Sequence, residues 1–343
     1  MQDIIKEIDY NQLKTNAKII KLMLPVQTKF CAVVKSDAYG HGIKLCKAID
    51  KYVDYFGVIN NQEALTLRKL TKKPILVMGA FNNNLLTAAI KNRIEQSISH
   101  PNDLNSIIKV AQKLQTQAKI HIQIDTGMHR LGIDKNEELN SLLSVAKSNK
   151  FIKVKTIYSQ LSDKLPMQIE NQLKNFNYIT KNIKTCRHLF NSAFYLAPIK
   201  LDMVRVGIGL YGYNFPYVSP ILTIKARILE IRNVKSGETI GYGSKHRLTK
   251  DCLIAVVAIG YNEGLPYNWG KLGYVLYKDK KCPFVADICM NMSIIKATPE
   301  MKINDYVTIL GKSHKKGILA SEIAKKSNTI INEILSNFKH ISC

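Results

Sequence analysis

Lys35 follows a short apolar run, Phe30 to Val34, and precedes Ser-Asp-Ala-Tyr-Gly-His-Gly. A lysine at a strand end is either solvated or held inside a pocket. In a pocket, partial desolvation lets the ammonium lose its proton near neutral pH, and the free amine can condense with an aldehyde cofactor. Other reactive side chains occupy comparable places. Arg130 lies on a glycine-containing loop in HIQIDTGMHRLG. Asn191 and Ser192 follow an apolar run in FNSAF, and Arg205 precedes Gly207 and Ile208 in MVRVGIGLYG. Glycine-rich backbone beside a hydroxyl offers N–H and O–H donors to a phosphate. Taken singly, each of these stretches also reads as an ordinary turn.

The elements that must position these residues are legible as a pattern. Apolar or β-branched runs over 29–34, 55–59, 74–78, 94–98, 119–125, 154–158 and 186–190 predict strands, and 201–212 supplies an eighth. Helix-like segments over 62–70, 85–91, 103–114 and 137–147 separate them. Eight strand–helix steps over about 200 residues match a (β/α)8 barrel, in which functional side chains gather at the C-terminal strand ends. A doubly wound open sheet is the rival architecture. After a proline-containing stretch, YNFPYVSP, the chain turns β-rich, with long helical patterns absent until 319–326. The expected fold is therefore α/β, an N-terminal TIM-like barrel over 10–215 with a C-terminal mostly-β domain over 216–343. Residues 1–9 are expected to pack with the second domain.

The 343 residues include 46% hydrophobic ones, an ordinary globular share. The net charge of +24 raises a nucleic-acid or membrane-surface partner. The lysines are spread along the whole chain, however, with no basic tail, no zinc-finger spacing and no RNP-like motif. Neither partner is expected. Seven cysteines are scattered without a C-x-x-C pair, which predicts neither a disulfide framework nor a metal site. No run approaches the roughly 20 apolar residues of a membrane span, and the N-terminus lacks a signal-like apolar core. A cytoplasmic location is expected.

AVVKSDAYGHG resembles the cofactor-lysine signature of alanine racemases, fold-type III enzymes that use pyridoxal 5′-phosphate (PLP). EIDYNQLKTNAKIIK is similar to the N-terminal segment of that family. DTGMHRLG, RHLFNSA, DMVRVGIGLYG, ETIGYGSKH, IGYNEGLP and DICMNM follow in the family's order. The resemblance covers nearly the whole chain. It implies that Lys35 binds PLP covalently and moves a proton on one face of the substrate. Tyr39 and Ser192, next to Asn191, would serve the cofactor phosphate together with the backbone N–H groups of Gly207 and Ile208. Arg205 would face the pyridine nitrogen, and Arg130 the substrate carboxylate. Tyr242 matches the second proton-transfer residue, and Tyr261 and Met290 match positions that close the site. The family's head-to-tail homodimers would put these last three into the partner's barrel.

The implied activity is the interconversion of L- and D-alanine, supplying D-alanine for peptidoglycan in a bacterial source. A racemase of serine or of a broader amino-acid range is the alternative substrate reading. A non-catalytic PLP-binding barrel is the alternative of another class, and such proteins lack a β domain carrying a tyrosine like Tyr242. The chain departs from the family at Gln123, where relatives carry a lysine, often carbamylated, and at Gln160, where they carry histidine. Asn291 and Glu263 each replace an aspartate, and Phe338 replaces a tyrosine that bonds the phosphate.

Overall fold

The computed structural model describes residues 2–163, 165–192 and 201–341. The chain divides into two compact units. One comprises Leu13–Ala38 and Ile43–Ser219; the other comprises Met1–Gln12, Tyr39–Gly42 and Pro220–Cys343.

The first unit is the barrel. Its strands are β2 (Lys29–Val33), β3 (Tyr55–Val58), β4 (Ile75–Val77), β5 (Glu95–Ile98), β6 (Ala118–Gln123), β7 (Ile152–Tyr158), β8 (Cys186–His188) and β9 (Met203–Val206). They pair in parallel in the order β8-β7-β6-β5-β4-β3-β2-β9. The sheet curls until β8 and β9 face each other. At that seam Asp202 N–H donates to Arg187 O at 3.1 Å and Arg205 N–H to Phe190 O at 3.0 Å. This is the nearly closed barrel, not the open sheet. Helices bury their apolar stripes against it. In Pro101–Lys113, Leu104, Ile107 and Ala111 recur at helical spacing and are buried. The last strand is shorter than its apolar run predicts. From Gly207 the backbone closes successive three-residue turns, with Leu210 N–H bonded to Gly207 O and Gly212 N–H to Gly209 O, so the ladder ends at Val206.

The barrel interior is unusually polar. Side chains two apart along a strand share a face, and Glu95, Ser97, His121, Gln123, Thr156 and Tyr158 are all buried and bonded to one another, between adjacent strands and, for Ser97 with Tyr158, across β6 from β5 to β7.

The second unit is antiparallel. Its main sheet is built on the 13-residue strand β10 (Leu222–Val234), which pairs with β1 (Ile4–Ile8), β13 (Cys252–Val257) and β17 (Tyr306–Lys312). The first strand thus runs beside residues more than 200 positions later, with Ile4 opposite Ala226. Beyond β17 lie β14 (Tyr274–Tyr277) and β15 (Lys280–Pro283); beyond β13 lies β16 (Ser293–Lys296), and β18 (Gly317–Ile318) pairs with β17. β11 (Thr239–Ile240) and β12 (His246–Arg247) form a separate hairpin. Two short helices, Ala320–Ser327 and Ile331–Asn337, close the unit.

Candidate active site

Lys35 leaves β2 into an uncommon backbone. Ser36, Asp37, Ala38 and Tyr39 have φ of 55°, 51°, 54° and 54°, one turn of left-handed helix built from residues with a Cβ. Such a turn costs roughly 1–2 kcal/mol per residue. Hydrogen bonds offset it. Ala38 N–H donates to Val34 O at 2.9 Å, closing the turn. Ser36 N–H donates to Glu63 Oε1 at 2.7 Å, and Ile43 N–H to Asp37 Oδ1 at 2.7 Å. Glu63 is fixed in turn: its Oε2 accepts from Ile59 N–H at 3.0 Å, and its own N–H donates to the capping Asn60 side chain. Glu63 escaped the reading of the sequence because nothing in NNQEAL signals that a helix's third residue holds a turn 27 positions earlier.

Lys35 lines a cavity of about 260 Å³ within the barrel, together with Gln123, Arg130, Tyr158, Gln160 and Arg205. It is therefore a pocket amine and not a solvated strand end. Burial, then the nearby Arg130 guanidinium, lower its pKa, against the opposing charge of Glu63. Gly79 forms part of the wall. A Cβ there would stand 2.1 Å from Ile59 O, so only glycine lets β3 and the end of β4 approach so closely.

Arg205 is buried and hydrogen-bonded from two nitrogens. Its Nη2 donates to Ser159 O at 2.7 Å, Leu189 O at 3.2 Å and Gln160 Oε1 at 3.2 Å; its Nη1 donates to His188 Nδ1. The Tyr158 ring lies 5.0 Å from its guanidinium carbon and stacks on His188 at 4.7 Å between centroids. Burial pulls the guanidinium pKa down, from so high a value that the cation persists.

Gln123 hydrogen-bonds Tyr158, Nε2 aside. Tyr158 Oη donates to Gln123 Oε1 at 2.9 Å and sits 2.6 Å from Ser97 Oγ, while Gln123 Nε2 donates to Leu131 O at 3.1 Å. Burial raises the Tyr158 pKa, which keeps the phenol a donor. Tyr158 was missed in the sequence. Its only signal is the alternation Thr156, Tyr158, which an exposed strand shows equally.

Ser192 is buried, and its Oγ accepts from Gly207 N–H at 3.2 Å and Gly209 N–H at 3.4 Å. The glycine turn thus folds over the hydroxyl, with Gly209 joining where the sequence pointed to Ile208. Ile208 is half-buried, and its carbonyl accepts from Tyr211 and Tyr213 N–H. Asn191 is half-buried; Ala193 and Phe194, the end of FNSAF, lie outside the described residues. The donor set fits an anionic aldehyde such as PLP. The cavity lining carries three cationic side chains, Lys35, Arg130 and Arg205, and no acidic one. Among the described residues no cluster of side chains is arranged to hold a metal ion.

The remaining candidates belong to the β unit. Tyr39 is half-buried, and desolvation pushes its phenol up to about 12. Gly40 next to it has φ +78°, and a Cβ would meet Leu335 O at 2.2 Å. Tyr242 is 81% exposed between two glycines of positive φ. Tyr261 and Met290 are exposed and lie side by side, since Tyr261 N–H donates to Cys289 O and Asn262 N–H to Met290 O. Two departures from the family meet here: Asn291 Nδ2 donates to Glu263 Oε1 at 2.6 Å, and Glu263 Oε2 accepts from Gly260 N–H at 2.8 Å. The amide at 291 leaves Glu263 as the one carboxylate of that pair. Phe338 is fully buried and offers no hydroxyl.

Residues 8–215 match the family described as alanine racemase, N-terminal domain, and residues 221–342 match alanine racemase, C-terminal domain. An alanine racemase of Helicobacter pylori strain G27 is 32% identical over 96% of this chain and 95% of its own length. The solved alanine racemase of Clostridium difficile 630 superposes with a TM-score of 0.91 at 29% identity, covering 98% of this chain and 93% of that one. An alanine racemase from Bartonella henselae with covalently bound pyridoxal phosphate superposes at 0.88 with 25% identity, over 98% of each chain.

Proposed function

Because the chain belongs to the alanine racemase family, we propose that it interconverts L- and D-alanine with PLP as cofactor, from a cytoplasmic homodimer whose sites are shared. The observation that carries this reading is the Lys35 amine, held at lowered pKa in a cavity with two arginines and no carboxylate.

PLP, when bound, withdraws electrons from the substrate and acidifies its α-C–H. Lys35 Nζ would hold PLP through its aldehyde and, once the substrate's own amino group takes that place and frees the amine, would take or return the α-proton on one face. Burial and Arg130 lower its pKa, which enlarges the fraction present as free amine. Tyr242 Oη serves the opposite face, so the amino acid racemises without turning over. Tyr261 and Met290 close the site from the same side. Arg130 binds the substrate carboxylate. Arg205 would face the pyridine nitrogen of PLP and, as a fixed cation that only donates, would leave it unprotonated where a carboxylic acid would not. Ser192, Tyr39 and the N–H groups after Val206 would hold the phosphate, one hydroxyl fewer than relatives with a tyrosine at 338. Gln123 lacks the charge of a carbamylated lysine, and the phenol of Tyr158 takes its carbonyl, so Arg130 is oriented by less charge than in those relatives.

The exposure of Tyr242, Tyr261 and Met290 supports a second chain as their destination. In a bacterial source the D-alanine would enter peptidoglycan. The test is an assay of the purified protein with L-alanine, with and without PLP. D-alanine formed only with PLP, and lost in Lys35→Ala and Tyr242→Phe, is expected. Binding of PLP without turnover of any amino acid would favour the non-catalytic reading instead. Faster turnover of serine than alanine would favour the other substrate, since one small group discriminates by only about 1–3 kcal/mol.

A further inference from the structure

Five side chains cross the barrel interior from β5 to β9 in unbroken contact. Glu95 Oε2 lies 2.7 Å from His121 Nε2, and His121 Nδ1 lies 2.7 Å from Thr156 Oγ1. Thr156 Oγ1 lies 2.8 Å from His188 Nε2, and His188 Nδ1 is bonded to Arg205 Nη1. None of the five is more than 5% exposed.

The proton positions follow link by link. A guanidinium only donates, so His188 Nδ1 accepts and the proton of the neutral ring sits on Nε2. That N–H donates to Thr156 Oγ1. The one hydroxyl proton of Thr156 then points at His121 Nδ1, and His121 Nε2–H faces the Glu95 carboxylate, which only accepts. With both rings neutral, reversing any link sets two protons or two lone pairs against each other. Burial drives both imidazoles toward the neutral form, His188 well below its ordinary value. For Glu95, burial pushes upward, but the His121 bond and the charges of Lys119 and Lys155 outweigh it and keep the carboxyl ionised. Lys119 Nζ stands 3.5 Å from Glu95 Oε1, and Tyr55 and Arg68 also face this carboxylate.

We propose that Glu95 is a positioning residue for Arg205, acting through His121, Thr156 and His188 as a one-way hydrogen-bonded relay that fixes both imidazoles as Nε2–H tautomers and the guanidinium in one orientation. The effect on the cofactor ring rests on the proposed function; the relay itself does not. Arg205 is anchored on one side by three oxygen acceptors and on the other by His188, whose lone pair faces it only in this tautomer. A break anywhere along the chain frees that ring to flip.

The test is made first on cofactor-free protein with ¹⁵N-labelled imidazoles. Two-bond ¹H–¹⁵N spectra are assigned with His121→Gln and His188→Gln. Both rings are expected neutral and Nε2-protonated at pH 7. Thr156→Val, which removes the middle link, is expected to shift the His188 nitrogens, and Thr156→Ser to restore them. With PLP loaded, Thr156→Val should move the cofactor absorption maximum and lower kcat about tenfold with KM little changed, again with rescue by Thr156→Ser. A doubly protonated His121, an Nδ1–H form of either ring, or a Thr156→Val enzyme matching wild type in spectrum and kcat would overturn the relay. Should Thr156→Val not fold, the wild-type tautomers alone decide. Protein that shows these tautomers but binds no PLP would sink the functional reading and leave the relay standing.

Discussion

The end of the barrel around Lys35 and the face of the β unit around Tyr242 solve opposite problems. Lys35 is set by its own chain. The backbone after it is locked in a left-handed turn, its pKa is lowered by burial and Arg130, and Tyr158, Gln123 and Arg205 of the cavity wall are held by hydrogen bonds. Tyr242 stands 81% exposed on a glycine-flanked turn. Of the two proposed proton-transfer groups, Lys35 is thus set by its own fold, whereas Tyr242 is left open to a covering surface. In the proposed homodimer that surface is the partner's barrel.

The largest test breaks the comparison at both ends. Lys35→Ala and Tyr242→Phe should each lower racemisation by about 10²–10⁴-fold, measured as D-alanine formed. Only Lys35→Ala should also lose the protein-linked PLP absorption. Mixing the two inactive variants after subunit exchange should recover about a quarter of wild-type activity. Half of the randomly assorted dimers are hybrids, and each hybrid keeps one intact site. No recovery would refute shared sites.

Next comes stability against pH, where the two units should part. His121 and His188 of the barrel are fully buried with lowered pKa values; in the β unit His41 is buried, His246 half-buried, and His314 and His340 exposed. Below about pH 6.5 the unfolded chain binds protons that the native barrel refuses. Barrel stability is therefore full above that pH and falls beneath it, by up to about 1.4 kcal/mol per pH unit and buried histidine. Urea midpoints at pH 7 and pH 5 check it. Circular dichroism should move more than the fluorescence of Trp269, the single tryptophan, which sits in the β unit. Equal shifts would erase the distinction.

Arg130→Ala sharpens the electrostatic half. Removing a like charge raises the Lys35 pKa toward that of an ordinary lysine, so the pH midpoint of PLP capture moves upward. Capture at neutral pH slows about tenfold for each unit moved. A stopped-flow pH profile reads the shift; a midpoint that stays put would leave burial as the whole cause.

The smallest effect belongs to the exposed face. Asn291→Asp sets a second carboxylate against Glu263 and should cost about 0.5–1 kcal/mol, seen as a drop of a few degrees in the thermal midpoint. An unchanged midpoint would show that Asn291 does not stabilise that turn.

The barrel was legible because its strands are β-branched runs at regular intervals with helical periods between them, and Lys35 and Arg205 stood out as cations beside such runs. The left-handed turn was not, because Ser36 and Ala38 carry no residue-level signal of positive φ and the mild leaning of Asp37 toward it is common to every aspartate; Gly40 and Gly42 marked only that the chain turns. The relay was also hidden. Glu95 with Ser97, and Thr156 with Tyr158, alternate like a solvent-facing strand surface, and only closure of the barrel turns that face inward.

The order of elements, the reactive side chains and the family they belong to were thus determined by the chain's own residues, since pattern and motif are local properties. Which polar groups meet was decided by the tertiary structure. Gln123 finds Tyr158, Glu63 finds the lysine turn, and His188 reaches Arg205 because strand register and barrel curvature bring distant positions within hydrogen-bond range. Burial then removes the water that would otherwise make each of those contacts interchangeable with any other.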